Sequence, residues 1–247
     1  MARIRHLEKA PITEALVDFR AAIPPDFAID SLKSLRNTIG DRYPVVEEMR
    51  FVKAEFELSK GLPERKDTDF GIRGYLFKGQ DGKDVAQFRA DGFTYNRLQP
   101  YTSWDAVLPE ALGLWELFVQ TVAPVSITRI AVRYINHMRI EAPRGDVSRS
   151  LTVLPPRFPG VPEYLGSFMV RTVSHDPASG CYATVTEALE PTPEPGVALT
   201  ILDIDVYKAT GLELNSDQLR PILVKLHDLK NEVFFGCITE ELARRYE

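Results

Sequence analysis

Cysteine is nearly absent: Cys181 and Cys237 are the only two in 247 residues, with no CxxC pair and no histidine pair beside either. A disulfide scaffold and a thiolate metal site are excluded as organising principles, and each thiol reads as a small apolar residue. Long hydrophobic runs are missing as well. No stretch approaches the roughly 18 apolar residues of a membrane span. The opening MARIRHLEKAPITEALVDF sets Arg3, Arg5, Glu8 and Lys9 where a secretory leader needs a continuous apolar core. These absences predict a reduced, cytoplasmic protein with no membrane partner.

Positive charge is not in excess either. Thirty Lys and Arg against 35 Asp and Glu give a net charge of −5, which disfavours a general nucleic-acid or anionic-membrane binder. There is no GxSxG elbow, Walker loop, GxGxxG before a helix or HExxH pair. The four histidines, His6, His137, His175 and His227, are scattered. No motif calls for a cofactor or a metal, and the reading leans away from an enzyme. What is present, 44% hydrophobic and 26% charged residues, is the balance of a globular chain forming one large domain or two small intimate ones.

Period-two patterning dominates. Thr13, Ala15, Val17, Phe19 and Ala21 face one way in residues 12–22, with Glu14, Leu16, Asp18 and Arg20 opposite, which predicts a half-buried strand. Pro24-Pro25-Asp26 then opens a helix to about Gly40 with Ile29, Leu32, Leu35 and Ile39 on one stripe. A strand over 50–58 and a charged loop from Lys60 to Asp69 follow. Strands near 70–78, 84–89 and 93–98 are punctuated by Asp81-Gly82 and Asp91-Gly92. Ser103 can cap a helix bearing Leu108, Leu112, Trp115, Val119 and Val122, which Pro109 should kink or delay to about residue 108. The second half reads similarly: a long strand at 126–140, strands near 164–175, 181–190 and 197–208, and a helix from Asn215 or Ser216. That helix carries Leu219, Ile222, Leu223, Leu226 and Leu229 at helical spacing, and Thr239 caps a last short one.

Each half is thus one strand, a three-stranded meander and a helix. The leading strands align without gaps, Pro11–Phe19 against Ser126–Tyr134. The expected fold is α+β: two pseudo-repeated units of antiparallel sheet, each followed by a packed helix. Residues 1–124 and 125–247 are the units, joined edge to edge in one module.

Pro11-Ile12-Thr13-Glu14-Ala15, Arg133-Tyr134-Ile135-Asn136 and the closing Phe235-Gly236-Cys237-Ile238-Thr239-Glu240-Glu241 resemble the recurring motifs of a sporadically distributed family of uncharacterised bacterial proteins of about 250 residues. The resemblance implies a bacterial source and a full-length single module, and no catalytic residue is carried over. Scattered occurrence of that family is compatible with mobile or defence-associated genes.

The strongest polar signal is the 126–140 strand. Arg129, Arg133, His137 and Arg139 share one face, with Ile130, Val132, Tyr134, Met138 and Ile140 on the other. Guanidinium forks at this spacing suit a phosphate or carboxylate, although the same arginines can pair with acids on a neighbouring strand. Candidate acids are Glu14 and Asp18 on the first strand and Asp203 and Asp205 on the 197–208 strand. Carboxylates two apart on a strand can also bind a divalent cation, but any solvated sheet face produces that spacing. Glu55-Phe56-Glu57-Leu58-Ser59-Lys60 superficially resembles the ExExK strand of triphosphate-tunnel enzymes, with Lys60 one residue too late to share the face. Tyr95, Tyr101, Trp104, Trp115 and Tyr134 read as core or rim aromatics.

The sequence therefore predicts a non-enzymatic module that binds another protein, one encoded nearby, as a partner or sensor subunit. Its rival is a small-ligand protein or hydrolase using the Arg129/Arg133 face on a phosphorylated or carboxylated compound. Homodimerisation is expected as cover for exposed sheet edges. If the two leading strands lie side by side and antiparallel, Glu14 should meet Arg133 and Asp18 should meet Arg129.

Overall fold

Alternating side chains generate nine strands, which pair into one antiparallel sheet in the computed structural model. The structure describes residues 1–59, 62–156, 158–209 and 214–247, without the side chains of 54–67 and 216. The strands are β1 (Ile12–Ala22), β2 (Val45–Ser59), β3 (Leu62–Lys78), β4 (Asp84–Arg89), β5 (Gly92–Leu98), β6 (Ser126–Glu141), β7 (Phe168–Asp176), β8 (Cys181–Pro191) and β9 (Val197–Lys208). Their order across the sheet is β2-β3-β4-β5-β1-β6-β9-β8-β7. Both leading strands sit at the centre, antiparallel to one another, so one sheet runs through residues 1–124 and 125–247 alike.

Four helices accompany the sheet: α1 (Arg36–Ile39), α2 (Trp104–Val122), α3 (Ser216–Cys237) and α4 (Glu240–Ala243). The two long ones cover one face, α2 on β5 and β1 and α3 on β9 and β6. On that face Ala15, Val17 and Phe19 are fully buried, and Phe19 stacks on Trp115 of α2 with centroids 4.5 Å apart. Leu219, Leu223 and Leu226 form the buried stripe of α3 above the inward-facing Leu202, Ile204 and Val206 of β9. Burying a leucine or phenylalanine stabilises the fold by roughly 1.5–3 kcal/mol each. The helices start where the sequence placed caps. Ser103 accepts from the Ala106 N–H, Asn215 from the Asp217 N–H and Thr239 from the Leu242 N–H.

Some expectations are corrected. The charged stretch is not a loop, since Leu62–Asp69 belongs to β3 and pairs with β2; Lys60 and Gly61 lie outside the described residues. The helix expected from Asp26 is a 3-10 turn over Ile29–Leu35 running into the short α1. Pro109 does not delay α2, which begins at Trp104; one missing N–H near a helix start removes one bond from the ladder. The first meander has four strands rather than three. At the β4–β5 turn, Gly92 has φ +143°, and a Cβ there would collide with the Phe19 carbonyl of β1. Only glycine permits this approach.

β2 and β3 run much further than β4. Gly74 to Lys78 of β3 pair with β4, whereas Val52–Ser59 and Leu62–Asp69 pair only with each other. They form a two-stranded arm, at whose root Phe51, Val52 and Phe70 are exposed. At the opposite end of the sheet, β7 leaves Met169 and Val173 exposed along the last strand.

Candidate functional site

The sheet face opposite the long helices carries the arginines that the sequence singled out. Arg129 donates from Nη2 to both oxygens of Asp205 at 2.7 and 2.6 Å and from Nη1 to Asp18 Oδ2 at 3.1 Å. Its guanidinium lies 4.3 Å from the centroid of the Tyr207 ring. Arg133 grips Asp203 through Nε at 2.8 Å and Nη2 at 2.5 Å. Asp18 also receives Arg89 Nη2 at 3.0 Å, Arg20 Nε at 3.3 Å and the Thr94 hydroxyl. Burial alone would raise the Asp18 pKa, but the Thr94 hydrogen bond and the charges of Arg89 and Arg20 outweigh it and hold it low. Asp205 moves the other way, because its burial outweighs Arg129. The Asp203 hydrogen bond raises Arg133 further, with smaller contributions from the charges of Asp205 and Glu14.

The two leading strands are neighbours, but their ladder is displaced from the expected one. Leu16 lies opposite Arg133, Asp18 opposite Ala131 and Arg20 opposite Arg129, with register shifts at both ends. Asp18 therefore reaches Arg129 along a diagonal, while Glu14 accepts from Asn96 instead of taking Arg133. His137 and Arg139 stand apart from this group. Both are exposed towards the end of β6, and Arg139 pairs with Glu194 of the β8–β9 turn. Of the eight residues singled out, Arg129, Arg133, Asp18, Asp203 and Asp205 are brought together; Glu14 and Arg139 bond elsewhere, and His137 stands exposed. The forks that could have held an external anion are filled by aspartates of β1 and β9.

A second polar site had no place in the sequence reading. The N-terminal segment from Ile4 to Ile12, the Gln99–Ser103 loop with the first residues of α2, and the second half of α3 line a half-open cavity of ≈ 770 Å³. The N-terminal segment is fastened along the chain's other end. Ala2 N–H donates to the Phe235 and Ile238 carbonyls at 3.0 Å, Lys9 N–H donates to Tyr246 at 2.9 Å, and Arg5 bridges Glu240 and Glu247. On the α3 wall lies Lys230, 6% exposed. Its ammonium donates to Asn231 Oδ1 at 2.7 Å and sits 3.7 Å from the centroid of the Tyr134 ring. Burial pushes its pKa down to about 7. One turn away, His227 stacks on Trp104, with centroids 4.4 Å apart and planes 6° from parallel. Burial first and the Lys230 charge second bring His227 down to about 3, so it is neutral in ordinary buffers. Tyr101 and Tyr134 share a hydrogen bond at 3.0 Å.

Tyr101 and Trp104 are therefore cavity-lining residues rather than plain rim aromatics, while Tyr95, Trp115 and Tyr134 are core. The signal for Lys230 was available: Leu219, Leu223 and Leu226 continue at helical spacing to 230, placing a lysine on an apolar stripe. Both cysteines are free, and burial, with the Glu187 charge, pushes the Cys237 thiol up to about 11. Among the described residues, no three His, Cys, Asp or Glu side chains gather as a metal site, and no helix is long and apolar enough to cross a membrane. Comparison with protein-family models and with curated proteins finds no match to this chain.

Proposed function

We propose that this chain is a non-enzymatic recognition module that binds another protein, with the β2–β3 arm as its contact. The arm carries the reading. Its distal pairs, Val52 with Asp69 through Ser59 with Leu62, extend past any third strand. A lone two-stranded ribbon is marginal in water. Its root also exposes Phe51, Val52 and Phe70, with the two phenylalanine rings 5.4 Å apart. A partner laid along the arm would cover those rings and the unpaired outer edge of β2.

The rest of the molecule reads as the scaffold for that contact. In each half the leading strand pairs with the last strand of its meander, β1 with β5 and β6 with β9. In both long helices a proline stands five residues after the first, Trp104 to Pro109 and Ser216 to Pro221. These parallels support descent of 1–124 and 125–247 from one unit. The family resemblance suggests a bacterial mobile or defence-associated setting, in which the partner is encoded nearby. An anion-binding or hydrolytic role for the Arg129/Arg133 face is the weaker reading, because internal aspartates occupy both forks.

Replacing residues 52–69 with Asn-Gly leaves a tight hairpin between Phe51 and Phe70 and tests the arm directly. The shortened chain should melt within a few degrees of the full one and lose the protein that co-purifies with the full chain from its native host. Light scattering on both chains separates a second copy from a different partner. Retention of the partner without the arm, or a full chain that purifies alone as a monomer, overturns the proposal.

A further inference from the structure

Three residues lining one cavity carry hydrogen-bond donors that the chain satisfies incompletely. Among the described residues three buried side-chain polar atoms have no partner, and two of them, Arg5 Nη2 and Trp104 Nε1, belong to residues lining the ≈ 770 Å³ cavity. The third donor is the ammonium of Lys230, which lines the same cavity and has no carboxylate within ion-pair distance among the described residues. Its one hydrogen bond goes to a neutral amide, Asn231, and its nearest other company is the face of Tyr134. A buried cation without a counter-ion is costly. So is a buried N–H with no acceptor. Each is relieved by the same thing, an oxyanion.

The surroundings narrow the class. Trp104 and His227 present parallel ring planes beside Lys230, and Tyr101 lines the same wall. Burial and the neighbouring Lys230 charge hold His227 neutral. The volume matches that of small-molecule pockets, roughly 300–1,000 Å³. Nothing in this arrangement uses the arm, so the inference stands independently of the protein-binding reading.

We propose that the cavity between the N-terminal segment, residues 99–105 and α3 binds a small aromatic oxyanion, a ring bearing a carboxylate or a phosphate. Lys230 holds the anionic group, Arg5 adds the one guanidinium nitrogen, Nη2, that Glu240 and Glu247 leave unpartnered, and Trp104 supplies an N–H and a flat wall. The ligand acts as the missing acceptor for groups that the chain itself leaves unpaired.

Titration calorimetry and thermal shift with benzoate, phenyl phosphate and the uncharged benzamide test this on the full chain. Both or one of the oxyanions should bind and raise the melting temperature, with benzamide far weaker; which of the two binds identifies the anionic group. Lys230→Met keeps the length of the side chain and removes its charge. It should fold at least as stably as the parent, because an unpaired buried charge is gone. It should weaken oxyanion binding by about 10- to 100-fold, the worth of a charge-assisted hydrogen bond. Arg129→Met, on the opposite sheet face, should bind as the parent does. Equal binding of benzamide and the oxyanions overturns the proposal, as does undiminished binding by folded Lys230→Met. So does loss of binding in Arg129→Met instead, or no binding of any probe.

Discussion

Asp18 collects Arg89, Arg129, Arg20 and the Thr94 hydroxyl while only 13% exposed, and Arg89 beside it is 11% exposed. Removing that charge takes one partner from three guanidiniums, although Arg129 keeps Asp205 and Arg89 and Arg20 keep Asp91, so Asp18→Asn should cost about 1–3 kcal/mol in urea denaturation. The pH dependence has a fixed sign. Because the folded pKa of Asp18 is depressed, its contribution is complete above the unfolded value and is lost as pH falls through the folded one. Arg133 is different, at 44% exposed against Asp203. Arg133→Ala should therefore cost about 1 kcal/mol or less. A double-mutant cycle should show its coupling to Asp203 and little to Glu14. Glu187 gives a third test. It is buried, has no hydrogen-bond partner among the described residues, and burial raises its pKa to about 7. A raised carboxyl weakens the fold as pH climbs from the unfolded value to the folded one. Glu187→Gln should thus gain on the parent between about pH 4.5 and 7, reaching about 1–2 kcal/mol at pH 8 by chemical denaturation.

At the level of elements, β1 and β6 were legible because each has one buried face that enforces a period of two, as in Ala15-Leu16-Val17-Asp18-Phe19. The distal part of β3 was not. Residues 62–69 pair in an arm beyond the main sheet, so no core imposes alternation and Glu64-Arg65-Lys66-Asp67 reads as a loop. The register of β1 against β6 was equally hidden, since irregularities at Ile12/Glu14 and Arg20/Ala21 depend on the neighbours of both strands. The cavity escaped because its walls come from three segments far apart in the chain, and no local pattern brings them together. Asp91-Gly92, by contrast, was readable as a turn, and its glycine is under a second constraint from β1. Gly92→Ala should cost about 1–3 kcal/mol, visible as a lower melting temperature, because the side chain meets both a disallowed φ and the Phe19 carbonyl.

On the scale of the whole molecule, the central pairing of β1 with β6 makes each half the neighbour that covers the other's edge. Expressing 1–124 or 125–247 alone would bare a long central strand, Phe19 of the first or Ile130 of the second included. Each half by itself should aggregate or stay unfolded, whereas the two co-expressed should recover one soluble complex. Size exclusion and circular dichroism read the outcome, and two independently soluble, folded halves would refute it. Calorimetry on the intact chain should likewise show one transition rather than two.

The fastening of Ala2 to Phe235 and Ile238, and of Arg5 and Lys9 to Glu247 and Tyr246, lays residues 2–9 alongside 235–247 in the same direction. Each terminal segment is thereby held by the other. A circular permutant whose glycine-serine bridge is long enough to run from Glu247 back along residues 2–9 to Met1, reopened at the Asp81-Gly82 turn, needs little rearrangement of the sheet. The same proximity warns against bulky fusions at the N-terminus. A tag there pulls on the segment that walls the cavity, so material carrying one and material with it removed can differ in what they bind.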